Sequence, residues 1–306
     1  MSKHAEASAG ADSKAGAARV GSQGAPDLRL GLIGDNIAQS KSPLLHALAG
    51  KLAGLAVSYE RLVPRELGTS FEDTFAACSA GGYRGVNITY PYKEQAARRV
   101  AIADPVVRAM GAVNTVLFEP AGPVGFNTDY SGFAAAYRSV RGARPAGSVC
   151  ILGAGGVGKA VAFALLKSGL EALWIVDPDR AKAADLASRL RAAAPGLSVE
   201  HPEDVGAVAD KVDGWVNCTP VGMVGNEGTP LPRERMQRAQ WAFDAVYTPL
   251  ETRFLADAAA EGLMVISGYE LFFHQGVDAW QIFAGRPVDA GQLRRRLTEC
   301  GAGPEG

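Results

Sequence analysis

The segment "GAGGVG" places glycines at positions 153, 155 and 158, the G-x-G-x-x-G spacing of a dinucleotide-binding turn. It directly follows a predicted strand, "SVCILG", and opens a predicted helix. In such a turn the first glycine permits a tight bend, the second lets a pyrophosphate approach the backbone, and the third permits close helix–strand packing. We therefore predict a dinucleotide site; the alternative is a glycine-rich turn without a ligand. The predicted contacts are Gly153, Ala154, Gly155, Gly156, Val157 and Gly158.

An acidic residue, Asp177, lies at the end of the next predicted strand, "EALWIVD". A carboxylate at this position accepts hydrogen bonds from a ribose 2′-hydroxyl and repels a 2′-phosphate. Asp179 adds a second carboxylate, and only Arg180 favours a phosphate. The sequence therefore predicts NAD rather than NADP. This preference weakens if Asp177 merely caps the helix that follows.

The first half of the chain has polar residues where its predicted strands end. Ser40 and Ser42 come just before a helix with Pro43 in its first turn, and two hydroxyls beside exposed backbone N–H groups could bind a carboxylate. The simpler alternative is that Ser42 only caps this helix. The other polar residues of this kind are Asn87, Thr89 and Lys93 in "GVNITYPYKE", Asn114 in "GAVNT", and Asn127 and Asp129 in "GFNTDYSG". Taken singly, each has a simpler explanation, such as a turn Asn, a surface Lys or an Asp that caps a helix.

Strands and helices alternate along the chain in two series, separated by a linker-like segment, "RGARPAG". The predicted strands lie at 28–33, 57–63, 86–90 and 113–120, then at 148–153, 171–177, 213–220 and 241–247. This alternation predicts parallel sheets with right-handed crossovers. We expect a two-domain α/β protein. Its first domain, residues 27–129, would be completed by C-terminal helices at about 270–300, and residues 130–269 would form a Rossmann-type domain.

The composition is that of an ordinary globular protein. The chain has 306 residues, is 47% hydrophobic and carries a formal charge of −1, so neither a nucleic-acid nor a membrane partner is predicted. Its four cysteines are far apart, which predicts no metal site and no disulfide framework and suits a cytoplasmic protein. Residues 1–26 are rich in Ala, Gly and Ser, and we predict a disordered tail.

Several segments together resemble motifs of the shikimate/quinate dehydrogenase family and occur in the same order. They are "SKSPLLH", "GVNITYPYKE", "GAVNT", "GFNTDYSGF", "GAGGVGKA", "NCTPVGM", "DAVYTPLET" and "HQGVDAW". The resemblance implies an N-terminal substrate-binding domain, a Rossmann domain and an active site in the cleft between them. It also implies an oxidoreductase that interconverts shikimate and 3-dehydroshikimate, or quinate and 3-dehydroquinate, at the C3 hydroxyl.

The resemblance further implies a role for each matching residue. Lys93 and Asp129 would be the catalytic pair beside the reacting hydroxyl, and Ser40 and Ser42 would hold the substrate carboxylate, with Tyr247 nearby. The residues that would bind the ring hydroxyls are Asn87, Thr89, Asn114 and Gln275. The further residues that would contact the cofactor are Thr219, Pro220 and Gly268, besides Asp177 and Arg180. A Lys–Asp pair can pass a proton and stabilise a developing alkoxide, so the chemistry requires no metal.

Several alternatives stay open. Asp177, Pro178 and Asp179 lie where NADP-using members typically carry an Asn-Arg-Thr-like clamp, which favours the NAD-preferring quinate/shikimate branch. The alternatives are an NADP-dependent biosynthetic enzyme, a related enzyme acting on another cyclohexene carboxylate, and a non-catalytic member that senses ligands. Ser42 is compatible with both shikimate and quinate. The sequence does not determine the oligomeric state, and a homodimer is compatible with it.

Overall fold

The computed structural model describes residues 25–304, so nearly all of the segment predicted to be disordered lies outside the described residues. The strands are β1 (Leu28–Ile33), β2 (Val57–Leu62), β3 (Gly85–Ile88), β4 (Thr115–Glu119), β5 (Gly122–Phe126), β6 (Gly147–Leu152), β7 (Leu170–Val176), β8 (Ser198–Glu200), β9 (Gly214–Asn217), β10 (Trp241–Asp244) and β11 (Met264–Ile266). The helices are α1 (Ser42–Ala53), α2 (Pro64–Leu67), α3 (Phe71–Ala80), α4 (Lys93–Ala97), α5 (Pro105–Met110), α6 (Thr128–Arg141), α7 (Gly156–Leu165), α8 (Arg180–Ala193), α9 (Arg253–Ala260), α10 (Gly268–Ala284) and α11 (Ala290–Glu299).

The first sheet has the strand order β2-β1-β3-β4-β5 and is mixed. Strand β1 is parallel to β2 and β3, but β4 and β5 form an antiparallel hairpin at one edge. The expectation of a wholly parallel sheet is therefore wrong here. A two-residue loop joins β4 to β5, which is too short for the crossover that parallel strands require.

The second sheet is wholly parallel, as predicted, with the order β11-β10-β9-β6-β7-β8. This is the strand order of a doubly wound dinucleotide-binding fold, in which the chain reverses direction across the sheet between β6 and β9. The ends of these two strands pair at Leu152 and Asn217. Ligands of such sheets bind in the crevice outside the carboxyl ends of the strands at this point.

The C-terminal helices α10 and α11 return to the first half of the chain. Leu45 and Leu48 of α1 are buried in one cluster with Phe273 of α10 and Leu293 of α11. Helix α10 also approaches α6 closely, since a Cβ added to Gly132 would come within 2.8 Å of the backbone nitrogen of Gln275. The sequence-based domain boundaries stay a prediction. Within residues 25–304, no helix has the length and apolar character needed to cross a membrane.

Candidate active site

Lys93 and Asp129 meet in a buried ion pair. Strand β3 ends at Ile88, a turn follows in which the Tyr92 N–H donates to the Thr89 carbonyl at 2.9 Å, and Lys93 begins α4. Its Nζ donates to Oδ2 of Asp129 at 2.7 Å, and each side chain is 9% exposed. This contact makes the pair a candidate for proton transfer.

Asp129 is not the cap of α6. The cap is Asn127, whose Oδ1 accepts from the Tyr130 N–H at 3.0 Å and whose Nδ2 donates to the Ala112 carbonyl at 2.9 Å. Asn127 therefore stabilises the helix start and anchors it to the loop that precedes β4. The simpler explanation of Asp129 as a helix cap is wrong, and so is that of Lys93 as a surface residue.

The predicted amides belong to a buried hydrogen-bond network. Nδ2 of Asn114 donates to Oγ1 of Thr128 at 2.9 Å, and Oδ1 accepts from the Thr128 N–H at 2.7 Å. Nδ2 of Asn87 donates to Oγ1 of Thr115 at 3.0 Å. Oγ1 of Thr128 lies 3.4 Å from Oε1 of Gln275, which joins α10 to the network. Sequence reasoning missed Thr115 and Thr128, although each directly follows an Asn in an "NT" pair that could have identified it.

The serine pair lies at the start of α1 but does not cap it as expected. Lys41 occupies the N-cap position, and Ser42 is the first helical residue, so its side chain is one position too late to cap. Oγ of Ser40 instead donates to Oγ of Ser42 at 3.2 Å and accepts from the Ser42 N–H at 3.3 Å. Arg61 donates from Nη2 to the Ser40 carbonyl at 2.8 Å. Both serine hydroxyls are half-buried beside the helix start, in keeping with a carboxylate-binding role.

Two tyrosines complete this group of hydroxyls. Burial raises the pKa of Tyr59, against the opposing effect of a hydrogen bond with Ser42. Burial likewise raises the pKa of Tyr247, against a hydrogen bond with Ser40. Both phenols are therefore protonated near neutral pH and can act as donors. Oη of Tyr59 also donates to Oδ1 of Asn87 at 2.8 Å, so Tyr59 belongs to the amide network. Sequence reasoning missed Tyr59, because its contacts depend on the register of β2 against β1.

Thr89 directly follows β3, at the carboxyl end of the parallel strands β1 and β3 of the first sheet. Its N–H donates to the Ile33 carbonyl at 2.9 Å, at the end of the neighbouring parallel strand β1. The side chain packs on Gly34, where an added Cβ would come within 2.2 Å of the threonine methyl group. Thr89 therefore lies against the start of the segment that leads from β1 to the serine pair.

The glycine-rich turn has the geometry that its spacing predicts. Gly153 has a φ of 97°, and a Cβ on it would come within 2.9 Å of the Cys218 carbonyl oxygen. A Cβ on Gly155 would point into open space, and one on Gly158 would come within 2.0 Å of the Gly153 carbonyl oxygen. The bend, the accessible backbone and the close packing are thus all present, and N–H groups at the start of α7 are available to phosphates. The turn fits a dinucleotide.

This turn lies directly against the candidate catalytic lysine. A Cβ added to Gly156 would come within 2.7 Å of Cδ of Lys93. The backbone of Thr219, after β9, lies on the other side of the turn, within 3.0 Å of a Cβ on Gly153, and is followed by the exposed Pro220. Gly268 begins α10, and a Cβ added to it would come within 2.4 Å of the Val246 carbonyl oxygen.

Asp177 contacts the turn itself. Its Oδ2 accepts from the Ala154 N–H at 2.7 Å, and its Oδ1 accepts from the Asp179 N–H at 2.8 Å. Helix α8 is capped by Asp179, which accepts from the Ala181 N–H at 3.1 Å, so the alternative in which Asp177 merely caps that helix is wrong. Arg180 is exposed and donates to the Pro202 carbonyl at 2.6 Å.

Comparisons of the sequence and the structure with known proteins give matches of one kind. A family model described as the shikimate dehydrogenase substrate binding domain matches residues 32–116. The chain is 37% identical to a shikimate dehydrogenase (NADP⁺) of Pseudarthrobacter chlorophenolicus, over 90% of this chain and 96% of that protein. It is 36% identical to a quinate/shikimate dehydrogenase (NAD⁺) of Corynebacterium efficiens, over 87% and 95%. A solved structure of quinate dehydrogenase from Corynebacterium glutamicum in complex with NAD has a TM-score of 0.81 and 33% identity, over 89% of this chain and 99% of that one.

Proposed function

The chain belongs to the shikimate dehydrogenase family of NAD(P)-dependent oxidoreductases, and we propose that it oxidises the C3 hydroxyl of shikimate or quinate with NAD. The reverse reaction reduces 3-dehydroshikimate or 3-dehydroquinate. The observation that carries the proposal is the Lys93–Asp129 contact of 2.7 Å, in a buried position against the dinucleotide turn. It joins a proton-transfer pair to the half of the molecule suited to a nicotinamide cofactor.

Lys93 and Asp129 handle the proton of the reacting alcohol. Bound NAD supplies the acceptor for the hydride that leaves the carbinol carbon. As that hydride leaves, the hydroxyl proton must leave the oxygen, and the pair is suited to receive it. The Lys93 ammonium also stabilises negative charge that develops on the alcohol oxygen. The ion pair with Asp129 keeps the ammonium in one orientation for both tasks.

The remaining predicted residues bind the rest of the substrate in this proposal. Ser40 and Ser42, with the phenol group of Tyr247, hold the carboxylate through hydroxyl donors, whereas the Tyr59 hydroxyl donates to Asn87. Asn87, Asn114, Thr89 and Gln275 hydrogen-bond the ring hydroxyls. Support comes from the hydrogen bonds that join Ser40 to Ser42, Tyr59 to Asn87 and Asn87 to Thr115 of the amide network. A polar site of this kind discriminates strongly, because a substrate that lacks a hydroxyl leaves buried groups unpaired.

NAD is the proposed cofactor because of Asp177. Its carboxylate accepts one hydrogen bond on each oxygen from the backbone, and each oxygen can accept another from a ribose hydroxyl. A 2′-phosphate would meet this negative charge. The relatives include proteins named for NAD⁺ and others named for NADP⁺, so Asp177 is the specific observation that favours NAD.

A non-catalytic, ligand-sensing protein is disfavoured by the Lys93–Asp129 contact. Binding alone does not require a buried ammonium beside a carboxylate, and burying such a pair is costly. The chain keeps both partners and joins them directly.

The test is a set of initial rates with shikimate and quinate, each with NAD⁺ and with NADP⁺. We expect turnover of at least one alcohol, with a higher kcat/KM for NAD⁺ than for NADP⁺. A clear preference for NADP⁺ would overturn the assignment of Asp177. If both alcohols raise the thermal unfolding temperature but no reduced nicotinamide forms, the ligand-sensing alternative replaces the catalytic one.

A further inference from the structure

Lys159 is a buried cation in the helix that follows the dinucleotide turn. Its side chain is 2% exposed, and its Nζ lies 2.9 Å from Oδ2 of Asp185 and 3.2 Å from Oε1 of Glu94. These two carboxylates come from different halves of the molecule. Asp185 is on α8, which packs on the second sheet, whereas Glu94 is on α4, directly after Lys93.

The contacts of Lys159 therefore join the dinucleotide turn to the helix that carries Lys93. Helix α7 touches the start of α4 twice, through Gly156 against the Lys93 side chain and through Lys159 to Glu94. A second link runs in parallel. Nε of Arg189 donates to the same Asp185 at 2.9 Å, and its Nη1 donates to the Ala109 carbonyl of α5 at 3.1 Å.

Stability alone is a poor explanation for such a lysine. Removing an ammonium from water is costly, and a well-packed apolar side chain at the same place is often equally stable or more so. The ion pairs of Lys159 with Glu94 and Asp185, here called the strap, have an effect that an apolar side chain lacks. They fix the relative orientation of the two halves as well as the distance between them. Hydride transfer is sensitive to both, because the alcohol and the nicotinamide are held by different halves of the chain.

We propose that Lys159 is a positioning residue that, through Glu94, fixes Lys93 and its bound alcohol relative to the dinucleotide turn. The inference rests on the proposed function, since it assigns Lys159 an effect on the hydride-transfer step. Lys159 does not touch the reacting atoms in this proposal. It fixes the distance between the alcohol bound beside Lys93 and the nicotinamide bound at the dinucleotide turn.

The first test compares Lys159→Met with Lys159→Arg in the full-length protein. We expect Lys159→Met to lower the single-turnover rate of hydride transfer by roughly 10- to 100-fold at saturating alcohol and NAD⁺. The KM for the alcohol should change little, because its predicted ligands lie outside the strap. Lys159→Arg, which can reach both carboxylates, should restore most of the rate. An unchanged rate in Lys159→Met, or a raised KM for NAD⁺ with an unchanged rate, would overturn the proposal.

A matched pair of carboxylate variants decides the matter even if Lys159→Met fails to fold. Glu94 binds Lys159, and Glu72 of α3 binds Arg99 at 3.3 Å in the same half; their side chains are 40% and 42% exposed, so either can be changed to the amide with little strain. We expect Glu94→Gln to lower the single-turnover rate, whereas Glu72→Gln, which leaves the contacts of Lys159 in place, should retain it. Equal effects of the two variants, or none, would contradict the proposal. Because every rate is compared with that of the unaltered protein, inactivity of the latter would refute the proposed function instead.

Discussion

Nζ of Lys93 lies 2.7 Å from Oδ2 of Asp129, although the two residues are 36 positions apart and lie in the first turns of different helices. The contact is possible because each helix start is held by other groups. Asn127 caps the helix of Asp129, and the Lys93 carbonyl accepts from the Val113 N–H at 3.0 Å. The backbone around both side chains is thus fixed independently of the ion pair, which leaves the pair available for chemistry.

Lys93→Ala should lower kcat by roughly 10²- to 10⁴-fold, the usual contribution of a general acid or base. The alcohol loses one member of the proton-transfer pair and, with it, the positive charge that stabilises the developing alkoxide. Asp129→Asn should have an effect in the same range, because the amide cannot accept the proton. Steady-state rates at saturating NAD⁺ and alcohol measure both effects.

Lys51→Ala is the control for the loss of a lysine from the same half, since Lys51 is an exposed residue of α1. We expect it to retain the rate of the unaltered protein. Thermal unfolding of each variant separates lost chemistry from lost folding. A folded Lys93→Ala variant with undiminished kcat would remove Lys93 from the mechanism.

Asp177→Asn should shift cofactor preference toward NADP⁺. The change removes a negative charge from the position where a 2′-phosphate would lie, while Asn retains one carbonyl acceptor for the Ala154 N–H. We expect the ratio of kcat/KM for NAD⁺ to that for NADP⁺ to fall by at least about tenfold, or about 1.4 kcal/mol. Asp73→Asn, on α3 in the first half, is the control for a simple change in net charge. A ratio that stays constant in Asp177→Asn would mean that this carboxylate does not select the cofactor.

The sequence predicted four of the six strands of the second sheet and missed the short strands β8 and β11, and it predicted the dinucleotide turn because the signals there are local. The buried strand β6, the glycine spacing and the acidic end of β7 are adjacent along the chain, and one turn geometry connects them. The edge strand β5 was missed since "GPVGF" contains Gly and Pro, which are unfavourable in strands, and its pairing with β4 is what stabilises it. Local composition therefore predicts the elements that have a strong local signal, but not a strand that depends on its pairing.

The site was predictable as a set of residue types, but its contacts were not. The family motifs identified Lys93 and Asp129 together, whereas the roles of Tyr59 and Lys159 depend on packing between distant segments. Tyr59 is 28 positions from Asn87, its hydrogen-bond partner. The partner of Lys159 in the first half, Glu94, lies beyond an entire domain linker in sequence. Contacts between residues so far apart have no characteristic spacing that a single sequence could reveal.

Gly158→Ala should impair the dinucleotide turn. The added Cβ would come within 2.0 Å of a backbone oxygen, that of Gly153, and backbone atoms cannot move aside as a side chain can. Overpacking of this kind costs about 1–3 kcal/mol, so NAD⁺ affinity measured by calorimetry should fall by roughly tenfold or more. Gly196→Ala is the matched control, because a Cβ there would point into open space. Equal affinities in the two variants would contradict this account of the turn.

His46→Phe should make the stability of the protein less sensitive to acid. His46 is 1% exposed and stacks on Tyr59 with ring centroids 4.9 Å apart, and burial lowers its pKa to about 3. The unfolded chain binds a proton at this residue below about pH 6.5 while the folded chain does not, so the free energy of unfolding decreases as the pH falls from 6.5 toward 3. Between pH 7 and pH 5, His46→Phe should lose about 2 kcal/mol less than the unaltered protein in urea titrations. Any change in the free energy of unfolding caused by repacking is the same at both pH values and cancels in this comparison, as do the contributions of all other titrating groups. Equal decreases in the two proteins would show that His46 takes up its proton in the folded state as well.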